Sequence, residues 1–91
     1  MLKFEWNESK ATANVGKHGC TFEEAASVFG DPLALTFNDP EHSRGEQRFL
    51  TFGVAQTDRL LAVAHTDRGN RIRIISARHA TKRERKIYEE G

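Results

Sequence analysis

Short stretches of alternating apolar and polar residues run through the chain, and this two-residue period is typical of half-buried β-strands. The first stretch, residues 2–6, alternates apolar residues with Lys3 and Glu5. Further strands are predicted over residues 33–37, 48–54 and 60–66, and a fifth begins at residue 70. In this last strand Arg71 and Arg73 are interleaved with isoleucines, so it combines apolar and basic side chains.

Residues 8–17 are flanked by the residues that begin and end a helix. Asn7 is a favourable N-cap, and Gly19 stands where the helix should end. Gly16 weakens this helix by up to about 1 kcal/mol relative to alanine. The residues expected to face inward are Ala11, Asn14 and Val15.

Two capping-box patterns, in which threonine is followed three residues later by glutamate, indicate further helix starts. Thr21 and Glu24 begin a second helix that ends before Pro32. Thr81 and Glu84 begin the last helix of the chain. The second helix carries an apolar stripe made of Phe22, Ala25, Ala26, Val28 and Phe29.

The predicted element order is β-α-α-β-β-β-β-α. Segments too short for crossovers join the four successive strands, so we expect an antiparallel meander. Ninety-one residues are enough for one modest core. We therefore predict a single α+β domain over residues 1–91, in which two N-terminal helices and a C-terminal helix pack on an antiparallel sheet.

The turn after Thr66 decides which side chains of the last two strands meet. A three-residue loop over residues 67–69 would place His65 opposite Arg71. The face directed at the helices would then carry Leu60, Ala62, Ala64, Ile72, Ile74 and Ser76. The other face would carry Leu61, Val63, His65, Arg71, Arg73 and Ile75. A two-residue loop would separate His65 from the arginines; we favour the longer loop because it divides apolar from polar positions more cleanly.

Positive charge is concentrated in the second half of the chain, although the formal net charge is only +1. Residues 1–45 hold four Lys/Arg and seven Asp/Glu, whereas residues 46–91 hold ten and six. Between residues 68 and 86 there are eight basic residues and one acid, Glu84. Because a basic strand leads there into a basic helix, we expect a site for phosphate.

Composition limits the class of protein. Hydrophobic residues at 37% and charged residues at 30% fit a globular protein rather than a disordered one. The chain contains neither an apolar run of transmembrane length nor the apolar core of an N-terminal signal peptide. Cys20 is the single cysteine, so no internal disulfide can form. We expect an intracellular protein without a membrane partner.

Four segments of the chain form a recognisable set: FEWNESKATANVGKHG, TFEEAASVF, the region from Arg48 to Gly53 and, most specifically, RIRIISARHATKRERKIYEE. Through these segments, nearly the whole chain resembles the BrnT family of bacterial type II toxins. At Asn7-Glu8 the chain departs from the Asp-Pro that members often carry, which affects a helix start rather than a site. The resemblance implies a RelE-like fold and cleavage of messenger RNA in the bacterial cytoplasm. It also implies neutralisation by a BrnA-type antitoxin in a hetero-oligomer.

Such enzymes cleave RNA without a metal when the 2′-hydroxyl attacks the adjacent phosphate, and the transition state gains negative charge. A planar guanidinium suits this task because it can hold two phosphate oxygens at once. Arg73 and Arg78 are therefore the first catalytic candidates. The alternative for each is an ion pair with an N-terminal acid such as Glu23 or Asp31. Strict alternation puts the two arginines on opposite faces, so they converge only if the strand bends or ends near Ser76.

Tyr88 and His65 complete the predicted catalytic set. Tyr88 either donates a proton, with a nearby cation lowering its pKa, or packs its ring on the sheet. His65 either transfers protons near neutral pH or has a structural role. The predicted substrate-binding residues are Arg48, Arg71, Lys82, Arg85 and His18. The alternative for Arg48 is a salt bridge with Glu46, and the alternative for His18 is a cation that complements the dipole at the end of the first helix.

No metal or other cofactor is expected, because His18 and Cys20 are too few ligands for zinc. His42, in a polar loop, and His79, before a helix cap, are given no role. The competing hypothesis for function is a small RNA-binding or adaptor module without catalysis. Such a module would bind RNA in a salt-dependent manner and leave it intact.

Overall fold

Five strands and three helices follow one another along residues 2–91, the part of the chain that the computed structural model describes. The strands are β1 (Lys3–Glu5), β2 (Leu35–Asn38), β3 (Arg48–Val54), β4 (Leu60–Arg68) and β5 (Arg71–His79). The helices are α1 (Glu8–His18), α2 (Phe22–Ser27) and α3 (Lys82–Glu90), and two 3₁₀ turns span Val28–Gly30 and Pro40–His42. The α+β class is as predicted, and so is this order of helices and strands; the 3₁₀ turns were not predicted.

The strands form one sheet in the order β1-β5-β4-β3-β2. Strands β2 to β5 make the predicted antiparallel meander. Strand β1, however, pairs with β5 in parallel and places Glu5 beside Arg73. The sheet is therefore mixed, and the prediction of a purely antiparallel sheet is wrong. A parallel pair needs a long connection, which the rest of the chain between β1 and β5 supplies.

Helices α1 and α2 and the 3₁₀ turn after α2 lie on one side of the sheet, which we call the covered face; the opposite side is the open face. The core on the covered face consists of Cys20, Phe22, Ala25, Val28, Ala55, Leu61, Val63, Ile74 and Ala77. Gly53 of β3 permits this packing, because a Cβ atom there would lie 2.6 Å from Cγ1 of Val28. The sheet and the 3₁₀ turn could not approach so closely with any other residue at position 53.

Asn14 of α1 is the polar centre of the core and is only 6% exposed. Its side-chain nitrogen donates to the carbonyl oxygens of Cys20 and Ala77, each at 2.9 Å. Its side-chain oxygen accepts from the N–H of Ala77 at 3.1 Å. The Asn14 amide thus links α1 to β5 and to Cys20, which lies just before α2. Both polar atoms of this buried side chain have hydrogen-bond partners.

The ends of α1 are as predicted, but one of its inward residues is not. Asn7 accepts from the N–H of Lys10 at 3.0 Å, and Gly19 ends the helix with a φ of +69°. Val15 is 46% exposed. Neighbouring residues point about 100° apart around a helix, so Asn14 faces the sheet and Val15 cannot also do so.

The two predicted capping boxes have different outcomes. At α3, Thr81 accepts from the N–H of Glu84, and the Glu84 side chain accepts from the N–H of Thr81, which is a complete box. At α2, Thr21 accepts from the N–H of Glu24 at 3.0 Å. The Glu24 carboxylate, however, accepts from Arg59, so this second box is only half formed.

The β4–β5 hairpin turns through two residues, Gly69 and Asn70, rather than the predicted three. Gly69 has a φ of +63° and occupies the position at which a type II′ turn takes glycine. His65 lies opposite Ile74 instead of Arg71, so the predicted register is wrong. The shorter turn is favoured because its twist matches the twist of the two strands.

A β-bulge interrupts β5 at Ile75. His65 pairs with Ile74, whereas the preceding residue of β4, Ala64, pairs with Ser76, so Ile75 is the extra residue. Beyond the bulge, the alternation of faces along β5 is inverted.

This inversion brings the two leading arginine candidates to one side. Arg73 pairs with Thr66, and Arg78 pairs with Ala62, two positions of β4 that share a face. The covered face carries Leu61, Val63, His65, Ile72, Ile74 and Ala77. The open face carries Ala62, Ala64, Thr66, Arg71, Arg73, Ser76 and Arg78. The predicted faces were therefore inverted for β4 and for Ser76, and they were right for Arg71, Ile72, Arg73 and Ile74.

Replacing Asn14 with alanine should destabilise the fold by about 2–4 kcal/mol, because the N–H of Ala77 and two carbonyl groups would stay buried without partners. The measurement is the free energy of unfolding in urea. Ser9→Ala, at an exposed position of the same helix, is the control and should change stability by less than about 0.5 kcal/mol. Equal stability of the two variants would contradict a structural role for the Asn14 amide.

Candidate active site on the open face

The open face presents rows of side chains that follow from the strand register. The row nearest the β4–β5 turn contains Lys3, Arg71 and Arg68. The next rows are Glu5, Arg73, Thr66 and Arg48, then Ser76, Ala64, Leu50 and Phe37, and finally Arg78, Ala62, Phe52 and Leu35. Basic side chains thus border an apolar middle on two sides.

A pocket of about 430 Å³ lies over this apolar middle. It is lined by Phe37, Asn38, Asp39, His42, Arg48, Leu50, Phe52, Ala64, Ser76, Arg78 and Ile87. The sheet forms its floor, and α3 and the loop between β2 and β3 contribute to its walls. Two arginines from strands that are not adjacent, Arg48 of β3 and Arg78 of β5, therefore share one cavity.

Hydrogen bonds close the loop between β2 and β3 around Arg48. The N–H of Asp39 donates to the carbonyl oxygen of Arg48 at 2.9 Å. The hydroxyl of Ser43 donates to the carbonyl oxygen of Asp39 at 2.8 Å and accepts from the N–H of Arg48 at 2.9 Å. Between these anchors, Pro40 begins a 3₁₀ turn that ends at His42. The loop is thereby fixed with His42 at the pocket.

His42 and Asp39 form a hydrogen-bonded pair that lines the pocket. Nδ1 of His42 lies 3.0 Å from Oδ1 and 2.9 Å from Oδ2 of Asp39. A carboxylate at Nδ1 favours the tautomer with the proton on that nitrogen, which leaves Nε2 as an acceptor. His42 received no role from its sequence context. The signal that could have found it is the DPEH segment, which places an acid and a histidine one turn apart.

Arg48 is half-buried and lines the pocket. Among residues 2–91, no carboxylate lies within 4.0 Å of its guanidinium. Its planar group is therefore available to an anion in the pocket.

Arg78 is held in a two-point ion pair with Glu84. Nη1 and Nη2 of Arg78 lie 2.7 and 3.0 Å from the two carboxylate oxygens of Glu84. The hydrogen bonds from Arg78 lower the pKa of Glu84, and Glu84 raises the pKa of Arg78. Because the same carboxylate caps α3 at Thr81, the arginine and the helix start are fixed together.

Arg73 also has an acidic partner, since its Nη1 lies 3.0 Å from Oε2 of Glu5. It lies on the open face, as Arg78 does, but towards the β1 edge and outside the pocket lining. Arg71 lies beside Arg68 in the row nearest the β4–β5 turn. Nη2 of Arg68 is 3.1 Å from Oε1 of Glu46, so these two residues form an ion pair. The neighbours suggested from sequence, Glu23 and Asp31, are not the partners of either leading arginine.

His65 lies in the core of the covered face and is 4% exposed. Its ring contacts Phe29 edge-on and stacks with Phe49, with ring centroids 4.8 and 5.6 Å away. Nε2 is 2.7 Å from the hydroxyl of Thr51, and burial lowers the pKa of the ring. The predicted position of His65 beside the arginines is therefore wrong, and it is a core residue.

Tyr88 anchors α3 to the end of β3 through Asp31. Its hydroxyl donates to Oδ2 of Asp31 at 2.6 Å, and the same oxygen accepts from the N–H of Val54 at 2.8 Å. This hydrogen bond raises the pKa of Tyr88 to about 12. We predicted a nearby cation that lowers the pKa of Tyr88. The group beside the hydroxyl is instead the carboxylate of Asp31, which raises this pKa.

The remaining predicted binding residues separate into two groups. Lys82 and Arg85 are exposed on α3, the helix that borders the pocket through Ile87. His18 is the last residue of α1, on the side of the sheet opposite to the pocket. The fold therefore does not bring His18 to the site.

Guanidinium groups around a cavity on an exposed basic surface are typical of a protein that binds the phosphates of nucleic acid. The sequence model of the family described as "Ribonuclease toxin, BrnT, of type II toxin-antitoxin system" matches residues 6–84, and the chain belongs to this family. The resemblance found in the sequence is therefore confirmed. A type II system implies a protein antitoxin as the partner of the toxin.

The fold is also similar to that of a solved relative. The 1.1 Å crystal structure of the Brucella abortus ribonuclease toxin, BrnT, matches with a TM-score of 0.69 and 24% sequence identity. The match covers 90% of this chain and all of the Brucella chain. No curated protein sequence matches the chain. Within residues 2–91, no helix has the length and apolar character to span a membrane, and no group of three or more metal-ligating side chains is found.

Asp31→Asn should return the pKa of Tyr88 from about 12 towards its ordinary value of 10, because the hydrogen bond to a carboxylate raises it. Tyr88 is the single tyrosine, so absorbance during an alkaline titration reports it directly. A raised pKa in the folded state stabilises the fold fully below pH 10, and this contribution is lost as the pH rises to about 12. Tyr88→Phe should lack that pH-dependent loss. An unchanged titration in Asp31→Asn would contradict the assigned contact, and Asp67→Asn, at an exposed acid, is the control.

Proposed function

We propose that the chain is a metal-independent endoribonuclease that cleaves messenger RNA in the pocket on the open face. The single observation that carries this proposal is that Arg48 and Arg78, from different strands, line the same cavity. In the proposed reaction the 2′-hydroxyl attacks the adjacent phosphate, and the bond to the 5′-oxygen breaks. The two guanidiniums stabilise the negative charge that develops on the phosphate oxygens.

The ion pair with Glu84 supports this role for Arg78 rather than opposing it. Glu84 occupies the end of the guanidinium formed by Nη1 and Nη2. The side edge, which carries Nε–H and the second hydrogen of Nη2, is left for a phosphate. Since the arginine is held in place before the substrate binds, little conformational entropy is lost on binding.

The other basic residues of the open face suit the phosphates that flank the scissile one. Arg71 and Arg73 extend the basic surface towards β1, and Lys82 and Arg85 extend it along α3. Arg73, paired with Glu5 outside the pocket lining, is better placed as a binding residue than as a catalytic one. Such contacts bind RNA by charge and carry no sequence information.

The same basic surface suits the protein antitoxin. A BrnA-type partner that covers the open face with acidic residues would exclude RNA and neutralise the toxin in a hetero-oligomer. Free toxin would cleave messenger RNA in the bacterial cytoplasm and inhibit translation. The RelE-like fold remains a prediction from the resemblance.

Purified protein should cleave a single-stranded transcript in excess EDTA, and Arg48→Ala or Arg78→Ala should each lower the single-turnover rate about 100-fold, as for the loss of one transition-state donor. Arg44→Ala, at an exposed basic position of the loop between β2 and β3, is the matched control and should cleave like the wild type. A transcript with 2′-deoxy nucleotides should resist cleavage, because the attacking group is absent.

Two results would overturn the proposal. Cleavage that requires a divalent cation would exclude the metal-independent mechanism. Salt-dependent RNA binding by a wild-type protein that leaves the RNA intact would favour the non-catalytic RNA-binding module instead. Thermal unfolding of each variant shows whether a lost activity reflects the site or the fold.

A further inference from the structure

We propose that His42 is the general base of the reaction and that Asp39 positions it, an inference that rests on the proposed ribonuclease function. The reaction needs a group that accepts the proton of the attacking 2′-hydroxyl close to the phosphate site. His42 lines the same pocket as Arg48 and Arg78.

The pair has the geometry of an oriented imidazole. Both carboxylate oxygens of Asp39 lie within 3.0 Å of Nδ1 of His42. The carboxylate keeps the proton on Nδ1 and stabilises the imidazolium that forms when Nε2 accepts a second proton. The side chain of His42 is 61% exposed and that of Asp39 22%, so the imidazole is open to a substrate while its partner is held more deeply.

The position of the pair is fixed relative to the phosphate-binding arginine. The N–H of Asp39 and the hydroxyl of Ser43 are both hydrogen-bonded to the backbone of Arg48. A movement of the loop would therefore break contacts to β3, which lies at the centre of the site. His42 and Arg48 are accordingly held as one unit, as a base and a phosphate ligand must be.

Other proton-transfer candidates are already engaged. His65 is enclosed by Phe29 and Phe49 on the covered face, and the Tyr88 hydroxyl is bound to Asp31. Within residues 2–91, His42 is the only histidine that lines the pocket.

The proposed step is a transesterification at the scissile phosphate. Nε2 of neutral His42 takes the proton from the 2′-hydroxyl as O2′ forms a bond to phosphorus. The bond between phosphorus and O5′ breaks, which yields a 2′,3′-cyclic phosphate, and O5′ takes a proton from water. The imidazolium then returns its proton to solvent. No oxidant, reductant or metal takes part in this step.

The test measures single-turnover cleavage of a transcript by wild type, His42→Ala, His42→Gln and Asp39→Asn in EDTA. Loss of the base should lower the rate at least about 100-fold in both His42 variants, which is within the range typical of general acid–base catalysis. Added imidazole should restore part of the rate to His42→Ala and none to Arg48→Ala. Asp39→Asn should lower the rate about 10-fold because the tautomer is no longer fixed. His79→Ala, on the covered side of the sheet, is the matched histidine control and should cleave like the wild type.

The outcomes separate this inference from the proposed function. A His42→Ala protein that cleaves at the wild-type rate overturns the inference and leaves the ribonuclease proposal intact. A loss that imidazole does not restore and that Asp39→Asn does not reproduce also overturns it, because the residue would then act only structurally. Restoration of the His42→Ala rate by a substrate with sulfur in place of O5′ would assign His42 to the leaving group and exclude the base role. A wild-type protein that binds RNA without cutting it refutes the proposed function itself.

Discussion

The β-bulge at Ile75 is the constraint on which both the core and the candidate site depend. Without it, the residues of β5 beyond Ile74 would point to the opposite faces. Ala77 would no longer lie in the core or form hydrogen bonds with Asn14, and Arg78 would point towards α1 and α2. One extra residue in a strand inverts everything after it, because side chains alternate with a period of two. The bulge thus allows one strand to serve the core and to place Arg73 and Arg78 on one face.

The carboxylate of Glu84 couples the stability of α3 to the geometry of the site. It completes the capping box with Thr81 and holds the guanidinium of Arg78. At the other end of the helix, the hydrogen bond from Tyr88 to Asp31 fixes α3 to the end of β3, because Asp31 also accepts from the N–H of Val54. A helix of nine residues is only marginally stable alone, so these contacts are what keep it over the sheet. Glu84 therefore fixes both the start of α3, which contributes to the wall of the pocket, and the orientation of Arg78.

The sheet and the loop between β2 and β3 contribute different side chains to the candidate site. The sheet supplies arginines whose positions follow from strand register, while a loop supplies the imidazole of His42. Hydrogen bonds from Asp39 and Ser43 to the backbone of Arg48 hold that loop against β3.

The sequence by itself determined the features that depend on near neighbours. The caps at Asn7 and Thr81, the limits of β3 and the positive charge of the second half all follow from residues a few positions apart. The BrnT resemblance was also present in the sequence, over nearly the whole chain and most specifically in the segment that ends with α3. The sequence could not predict that β1 pairs with β5 in parallel, because apolar and polar residues alternate in the same way in parallel and antiparallel strands.

Only the tertiary structure decided the faces of the hairpin and the members of the site. The bulge at Ile75 depends on which register buries the most apolar surface, and that burial is summed over the whole sheet. The register of the sheet places His65 in the core, and the hydrogen bonds that close the β2–β3 loop onto Arg48 place His42 in the pocket lining. Local patterns set backbone conformation and capping, whereas the meeting of distant side chains is decided by the packing of the complete fold.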